Sequence, residues 1–192
     1  MQRRLSCPKN TSLEKQKLTF EFIVKGLTPS KNSVSPSPTI GHVIGLAMIA
    51  TGFVQTNVGF LEGLGGHPPP SWELSPSGFA TIIAPARELF YHDLPVDEGD
   101  YWVSKLTKQA QLPFTEDGTH AYSGWKEVPA WFLVTVDDKA FPVEAQRMMV
   151  EMAREAGGDV TVSDVQASHS PMLSRPEETA KFILEAANAF IK

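Results

Sequence analysis

The sequence predicts an α/β fold in which helices cover both faces of a parallel sheet. Nearly uninterrupted apolar runs at Val43–Val54 and Ala130–Val136 are typical of strands buried on both sides. A third strand is predicted at 160–165, and helical patterns follow the second and third strands, an alternation that favours parallel pairing. Three or four strands are few for such a sheet, so we expect the chain to lack strands that would normally lie at its centre.

The N-terminal segment differs in composition from the remainder of the chain. Lys, Ser, Pro, Thr and Asn dominate it, and a Ser-Pro-Ser-Pro tract lies at Ser35–Pro38. Only Leu18–Val24 alternates in the manner of a strand. We therefore predict an irregular or disordered segment over 1–40 and a single domain over 41–192.

A stretch rich in aromatic residues lies between the first two predicted strands. It follows the chain breaks at Gly65–Gly66 and Pro68–Pro70 and consists of short amphipathic pieces. The clearest helical pattern within it covers Val96–Ala110. The interpretation is a mainly helical insertion over about 67–124. Its aromatic residues fit either ordinary packing or the lining of an apolar substrate pocket.

The last third of the chain predicts two amphipathic helices. The first runs from Pro142 to about Ala156, and Gly157–Gly158 ends it. Its expected buried face consists of Ala145, Met148, Met149, Met152 and Ala156. Ser174 and Glu177 have the spacing of a capping box for the final helix. The expected buried stripe of that helix is Ala180, Ile183, Leu184 and Ala187.

Composition excludes several classes of partner. A formal net charge of −5 disfavours nucleic acid. Arg3 and Arg4 are not followed by the apolar stretch of a signal peptide, and Val43–Val54 is shorter than the ~20 residues that span a bilayer. The single cysteine, Cys7, is compatible with a reducing compartment. We expect a cytoplasmic protein with no membrane or nucleic-acid partner, no cofactor and no metal.

Titratable side chains follow two of the predicted strands. Asp137 and Asp138 come directly after the second strand, and His169 follows the third, 31 residues beyond Asp138. Sites in parallel α/β sheets form at the carboxyl ends of strands, where one of these carboxylates could orient the imidazole. Taken singly, an Asp-Asp pair is more often a solvated turn and a lone His a surface residue. Acid before histidine, both near the C-terminus, is the chain order of one large class of hydrolases.

Several motifs in this order resemble the methylesterase and hydroxynitrile-lyase branch of the α/β-hydrolases, in particular its fungal and bacterial members. Asp137–Gln146 (DDKAFPVEAQ) resembles the acid loop, and Ala167–Ser174 (ASHSPMLS) resembles the histidine loop. Phe60–Gly66 (FLEGLGG) is similar to the entry to the lid, and Tyr101–Leu106 (YWVSKL) to a lid helix. The resemblance implies that Asp138 is the triad acid, His169 the base and 67–124 the lid. It also implies a small apolar ester or carbonyl substrate.

The nucleophile of that branch has no counterpart here. It lies in a Gly-x-Ser-x-Gly turn between a strand and a helix, and no such sequence occurs in this chain. The nearest match, Gly41–Gly45, has Val43 where the serine belongs. We therefore expect an incomplete α/β-hydrolase fold, truncated and inactive as written, whose exposed sheet edge could mediate self-association.

Three functions remain open at this point. The first is a hydrolase of small esters. The second is a lyase on the same scaffold, which Ser170 disfavours because cyanogenic lyases of the branch place a lysine directly after the histidine. The third is a catalytically inactive fragment or a ligand-binding pseudoenzyme, which the missing serine favours.

Overall fold

A computed structural model describes Thr28 and residues 42–191. The predictions of an irregular segment over 1–40 and of a strand at Leu18–Val24 concern residues that, apart from Thr28, lie outside this description. In chain order the elements are β1 (Leu46–Ile49), α1 (Phe60–Gly63), β2 (Trp72–Leu74), β3 (Phe79–Ile82), α2 (Ala86–Phe90), α3 (Val96–Val103), β4 (Gln109–Ala110), α4 (Leu112–Thr115), β5 (Ala130–Thr135), α5 (Val143–Glu155), β6 (Val160–Val165), α6 (Pro171–Ser174) and α7 (Pro176–Phe190). Two 3-10 turns lie at Gly118–His120 and Gly124–Lys126.

The main sheet is parallel and has the order β1-β5-β6, which confirms the predicted α/β class. Leu46 lies opposite Ala130, and Ala130 lies opposite Val160. The first strand is shorter than the predicted Val43–Val54, because Ala50 has a φ of 46° and turns the chain out of the extended conformation. Among the described residues β5 is the central strand, and β1 lies at an edge of the sheet.

Helices cover both faces of β5, as the apolar runs predict. On one face Phe132 and Val134 pack in a cluster with Val150 and Ala153 of α5. On the other face Leu133 packs in a second cluster with Phe182 of α7. Alternate residues of one strand therefore enter two separate cores, which explains why the strand has no polar face.

The predicted buried face of α5 is wrong for Met148, Met152 and Ala156, which are exposed, whereas Met149 is partly buried and packs against the core. Gln146, Val150 and Ala153 are buried, whereas Met148 is 60% exposed. The buried stripe is rotated because the amide of Gln146 hydrogen-bonds to the end of β5, which brings that side of the helix toward the sheet. Apolar periodicity cannot reveal a stripe whose anchor is a polar side chain.

The predictions for the final helix are also wrong in detail. Thr179, Phe182 and Ala186 are buried, whereas Leu184 is 63% exposed. The predicted capping box does not form: Ser174 ends the separate helix α6, and Arg175 is the N-cap of α7 without a side-chain cap. Each of the two helices begins with a proline, a residue that favours the first helical position. This explains why the chain forms two separate helices here and not one helix that begins at a capping box.

The stretch between β1 and β5 contains a second sheet that the sequence patterns do not predict. It is antiparallel, with the order β2-β3-β4. Gly78, at a φ of 85°, makes the turn between β2 and β3. The helix expected over Val96–Ala110 ends at Val103, because Gln109–Ala110 pairs with β3 instead.

Within residues 42–191, none of the helices combines the length and apolar character needed to cross a bilayer.

Candidate active site

The candidate residues meet at the carboxyl edge of the parallel sheet. Asp137 and Asp138 follow β5, and His169 lies four residues beyond the end of β6, its parallel neighbour. Hydrogen bonds from the Val136 amide to the Val165 carbonyl and from the Asp137 amide to the Ala167 carbonyl continue the pairing past the strand ends. The two loops therefore leave the sheet side by side, which brings their side chains together.

The Nδ1 atom of His169 lies 2.8 Å from the Oδ2 atom of Asp138. The side chain of Asp138 is fully buried, and that of His169 is 30% exposed. This is the hydrogen-bond geometry that the strand-end argument predicts, and it selects between the two carboxylates. Asp137 is exposed, and its contribution is a backbone carbonyl oxygen that lies 2.8 Å from Nε2 of His92.

The buried carboxylate of Asp138 accepts four hydrogen bonds. Its Oδ1 atom accepts from the backbone amides of Ala140 (2.9 Å) and Phe141 (2.8 Å). Its Oδ2 atom accepts from the hydroxyl of Thr135 at 2.8 Å as well as from His169. Such a set of donors compensates for the loss of water around a buried charge. It also fixes the plane of the carboxylate and so the position offered to the imidazole.

The stretch Glu88–Asp93 packs against both loops, a contact that the sequence analysis missed. The Oδ2 atom of Asp93 accepts a hydrogen bond of 2.8 Å from the amide of Ser168, and the hydroxyl of Ser168 donates to the carbonyl of Phe90 at 2.9 Å. The ring of Phe90 lies 5.4 Å from that of His169. No local pattern reveals these contacts, because the partners are separated by 45 to 78 positions.

Asp93 combines partial burial with strong hydrogen bonding. Burial alone raises the pKa of the Asp93 carboxyl, but hydrogen bonding by the Ser168 and Ser174 side chains and by the Ser168 amide together outweighs it, so that the net pKa lies below its ordinary value. Burial raises the pKa of the neighbouring Tyr91 hydroxyl. The carboxylate of Asp93 is therefore held in its charged form beside the residue that precedes His169.

The second nitrogen of His169, Nε2, makes no hydrogen bond with the described part of the chain. The adjacent Ser168 hydroxyl is bound to Phe90, and Ser123 is buried and bonded to the carbonyl of Val54. Val43 occupies the serine position of the Gly41–Gly45 match. It precedes β1 and packs against the apolar core that contains Leu46, so it does not lie in a turn between a strand and a helix. Within residues 42–191, no hydroxyl group hydrogen-bonds to Nε2 of His169.

Other candidate features lie away from this pair. A cavity of about 270 Å³ is lined by Phe53, Ser123, Trp125 and Met152 among others, none from the acid or histidine loop. As far as the structure describes the chain, three or more His, Cys, Asp or Glu side chains do not converge on a point that could hold a metal ion.

Comparison with known proteins identifies the fold family. The family model described as "Alpha/beta hydrolase family" matches residues 27–182. The chain belongs to this family. The match includes the whole parallel sheet and both the Asp138 and His169 loops.

Curated relatives include several hydrolases. An alpha/beta hydrolase of Aspergillus novofumigatus is 29% identical over 55% of this chain and 40% of its own length. A pyrethroid hydrolase of Sphingobium wenxiniae is 30% identical over 54% of this chain and 35% of its length. Methylesterase 1 of Arabidopsis thaliana is 25% identical over 57% of this chain and 37% of its length. The matched part of the chain thus spans about two fifths or less of these relatives.

Solved structures agree on the fold. A pyrethroid hydrolase from Sphingobium faniae has a TM-score of 0.57 at 23% identity, over 77% of this chain and 62% of that one. Polyneuridine aldehyde esterase has a TM-score of 0.57 at 20% identity, over 76% of this chain and 62% of that one. At such identities the likeness concerns the fold alone.

Proposed function

We propose that Asp138 and His169 are the acid and the base of a hydrolase of small carboxylic esters. The observation that carries the proposal is the 2.8 Å hydrogen bond between a fully buried carboxylate and a partly exposed imidazole at the carboxyl edge of a parallel sheet. In this role Asp138 orients the ring and stabilises the imidazolium, while Nε2 of His169 takes a proton from the nucleophile and later returns it to the leaving alcohol.

We further propose that the 192 residues as written do not hydrolyse esters on their own. They contain no Gly-x-Ser-x-Gly sequence, and Nε2 of His169 has no hydroxyl partner among the described residues. The residual rate of a triad that lacks its nucleophile comes from the oxyanion hole and from substrate binding. The acid and base alone supply neither.

A lid is the role we propose for residues 67–124. Its support is the packing of Phe90, His92 and Asp93 against the acid and histidine loops. A lid placed in this way excludes water from the imidazole and presents an aromatic ring to the substrate. An apolar ester or carbonyl compound suits the ring of Phe90, in line with the names of the pyrethroid hydrolase, the methylesterase and the aldehyde esterase.

A ligand-binding protein without catalysis is the second candidate, and the missing serine is the observation that favours it. A lyase is less well supported, because Ser170 occupies the position directly after the histidine.

Hydrolysis of a nitrophenyl ester and labelling by a fluorophosphonate probe test the proposal. We expect the purified chain to show no hydrolysis above a His169→Ala control and no labelled serine. Labelling of one serine that disappears in His169→Ala would overturn the proposed inactivity and identify the nucleophile.

A second experiment supplies a Gly-x-Ser-x-Gly segment of a relative, either fused to this chain or mixed with it. The product should gain hydrolysis that His169→Ala and Asp138→Asn remove; activity that survives both substitutions would contradict the assigned roles.

Self-association is the partner interaction that we propose for the free chain. Within the described residues one side of β1 pairs with β5 and no strand pairs with the other, and Ile44 beside it is 46% exposed. Sedimentation over a range of concentrations should show a dimer or larger species. Replacing Ala47 in β1 by proline, which removes a backbone donor, should reduce it. A strictly monomeric chain at all concentrations would contradict this.

A further inference from the structure

Gln146 is a polar residue at the centre of a buried helix face. It is fully buried in α5, and it faces the end of β5 instead of solvent. Its Oε1 atom lies 3.0 Å from the amide of Thr135, and its Nε2 atom lies 2.6 Å from the carbonyl of Phe141 and 3.1 Å from that of Thr135. One side chain therefore holds both the strand end and the far end of the acid loop.

The backbone partners settle which end of the amide is which. The carbonyl of Phe141 can only accept, so the nitrogen of Gln146 must face it, and the amide of Thr135 can only donate, so the oxygen must face that group. The amide nitrogen is then also 3.0 Å from the hydroxyl oxygen of Thr135. One of the two amide hydrogens is directed to Phe141, and the other is shared between the carbonyl oxygen and the hydroxyl oxygen of Thr135, so the hydroxyl accepts from Gln146.

The hydroxyl proton of Thr135 consequently points toward Asp138. The distance from Oγ1 to Oδ2 of Asp138 is 2.8 Å, against 3.3 Å to Oε1 of Gln146, which already accepts from a backbone amide. The same carboxylate oxygen accepts from Nδ1 of His169. A single ordered chain of hydrogen bonds thus runs from Gln146 through Thr135 and Asp138 to His169.

We propose that Gln146 is a positioning residue that acts through Thr135 to fix the carboxylate of Asp138, and thereby the tautomer of His169. The proposal rests on the proposed function, in which His169 must carry its proton on Nδ1 so that Nε2 is free to accept one. Thr135 supplies the hydrogen bond, and Gln146 sets its direction. The carboxylate of Asp138 is then held by the Thr135 hydroxyl at the start of its loop and by the amides of Ala140 and Phe141 at the end of that loop.

The competing view is that Gln146 and Thr135 only join the helix to the sheet. In that case, loss of either group lowers the free energy of unfolding but leaves the imidazole unchanged. The tautomer of His169 distinguishes the two views, because it responds to the hydrogen bond from Nδ1 and not to overall stability. Its measurement needs no substrate, so a result on hydrolysis in either direction leaves this test intact.

The experiment is long-range 1H–15N NMR of the full chain labelled on histidine, at a pH at which the imidazole is neutral. The wild type should show His169 almost entirely in the Nδ1–H form. Thr135→Val, which keeps the shape and removes the hydroxyl, and Gln146→Met, which removes the amide, should both give a mixture with the Nε2–H form. Thr135→Ser should restore the wild-type spectrum, and Met148→Leu on the exposed face of the same helix should not change it.

Three outcomes overturn the proposal. The first is an unchanged tautomer in folded Thr135→Val and Gln146→Met despite a lower free energy of unfolding. The second is a Thr135→Ser variant whose spectrum resembles that of Thr135→Val. The third needs no variant: the Thr135 hydroxyl proton of the wild type should exchange slowly enough to be observed, with cross-peaks to the side-chain amide of Gln146, and its absence would contradict the proposed chain of hydrogen bonds.

Discussion

The parallel sheet with its helices and the stretch over 67–124 are built on different principles. In the sheet, β5 sends alternate residues into two apolar cores and is buried along most of its length. In the 67–124 stretch, the buried large apolar residues are Leu89, Tyr91 and Leu94, all within or beside the part that contacts the acid and histidine loops. Burial in this stretch is thus concentrated where it borders the candidate site, whereas the sheet is stabilised throughout.

The largest effect that separates the two regions is expected for Phe132→Ala. The Phe132 ring is fully buried and stacks on Phe53 at a centroid distance of 5.4 Å, so its removal leaves a cavity in the core. The free energy of unfolding should fall by about 3–5 kcal/mol, as for other buried aromatic residues. Urea denaturation followed by circular dichroism measures it.

The matched control lies in the antiparallel sheet region. Ile83 follows β3 and is 56% exposed, so that Ile83→Ala should change the free energy of unfolding by no more than about 0.5 kcal/mol. If the two substitutions cost the same, the contrast in burial between the two regions does not translate into stability.

An intermediate effect is expected for Asp93→Ala, which cuts the contact between the two regions. The backbone amide of Ser168 donates a hydrogen bond to the carboxylate of Asp93, and Ser168 is fully buried. The substitution therefore leaves a buried donor without its partner. A cost of about 1–3 kcal/mol in the free energy of unfolding is typical of that loss. Hydrogen exchange at Ser168 should also become faster, whereas exchange in β5 should change only with global stability.

The same contact should depend on pH. The pKa of Asp93 lies below its ordinary value in the folded chain, so folding favours the charged carboxylate. Its contribution is therefore complete above the unfolded-state carboxyl pKa of about 4 and is lost as the pH falls through the lower folded value. The stability difference between wild type and Asp93→Asn should shrink on acidification through that window. A difference that grows instead would show that the carboxylate is not the favoured partner of Ser168.

The two regions also differ in how far sequence predicts them. A long apolar run identifies β5, and the valines at 160, 162 and 165 mark β6. Because parallel neighbours end at the same edge, the meeting of Asp138 with His169 follows from strand order. The β2-β3-β4 sheet is not predictable in this way, because its strands have two to four residues and the paired residues of β3 and β4 lie 29 and 31 positions apart. Within the sheet region, the error in the buried face of α5 arises because a polar group, the amide of Gln146, decides which side of the helix is buried.

The smallest effect is expected at the surface contact between the regions. Nζ of Lys139 lies 2.7 Å from a carboxylate oxygen of Glu88, and both side chains are about half exposed. The hydrogen bond and charge of Lys139 hold the pKa of Glu88 below its ordinary value. Exposed ion pairs lose side-chain entropy and are screened by salt, so Lys139→Gln should not measurably change the thermal midpoint. NMR titration should instead show the pKa of Glu88 return toward the ordinary carboxyl value, and high salt should move the wild type the same way. A clear loss of stability in Lys139→Gln would mean that this ion pair, and not the buried contact of Asp93 with Ser168, fastens the 67–124 stretch to the acid loop.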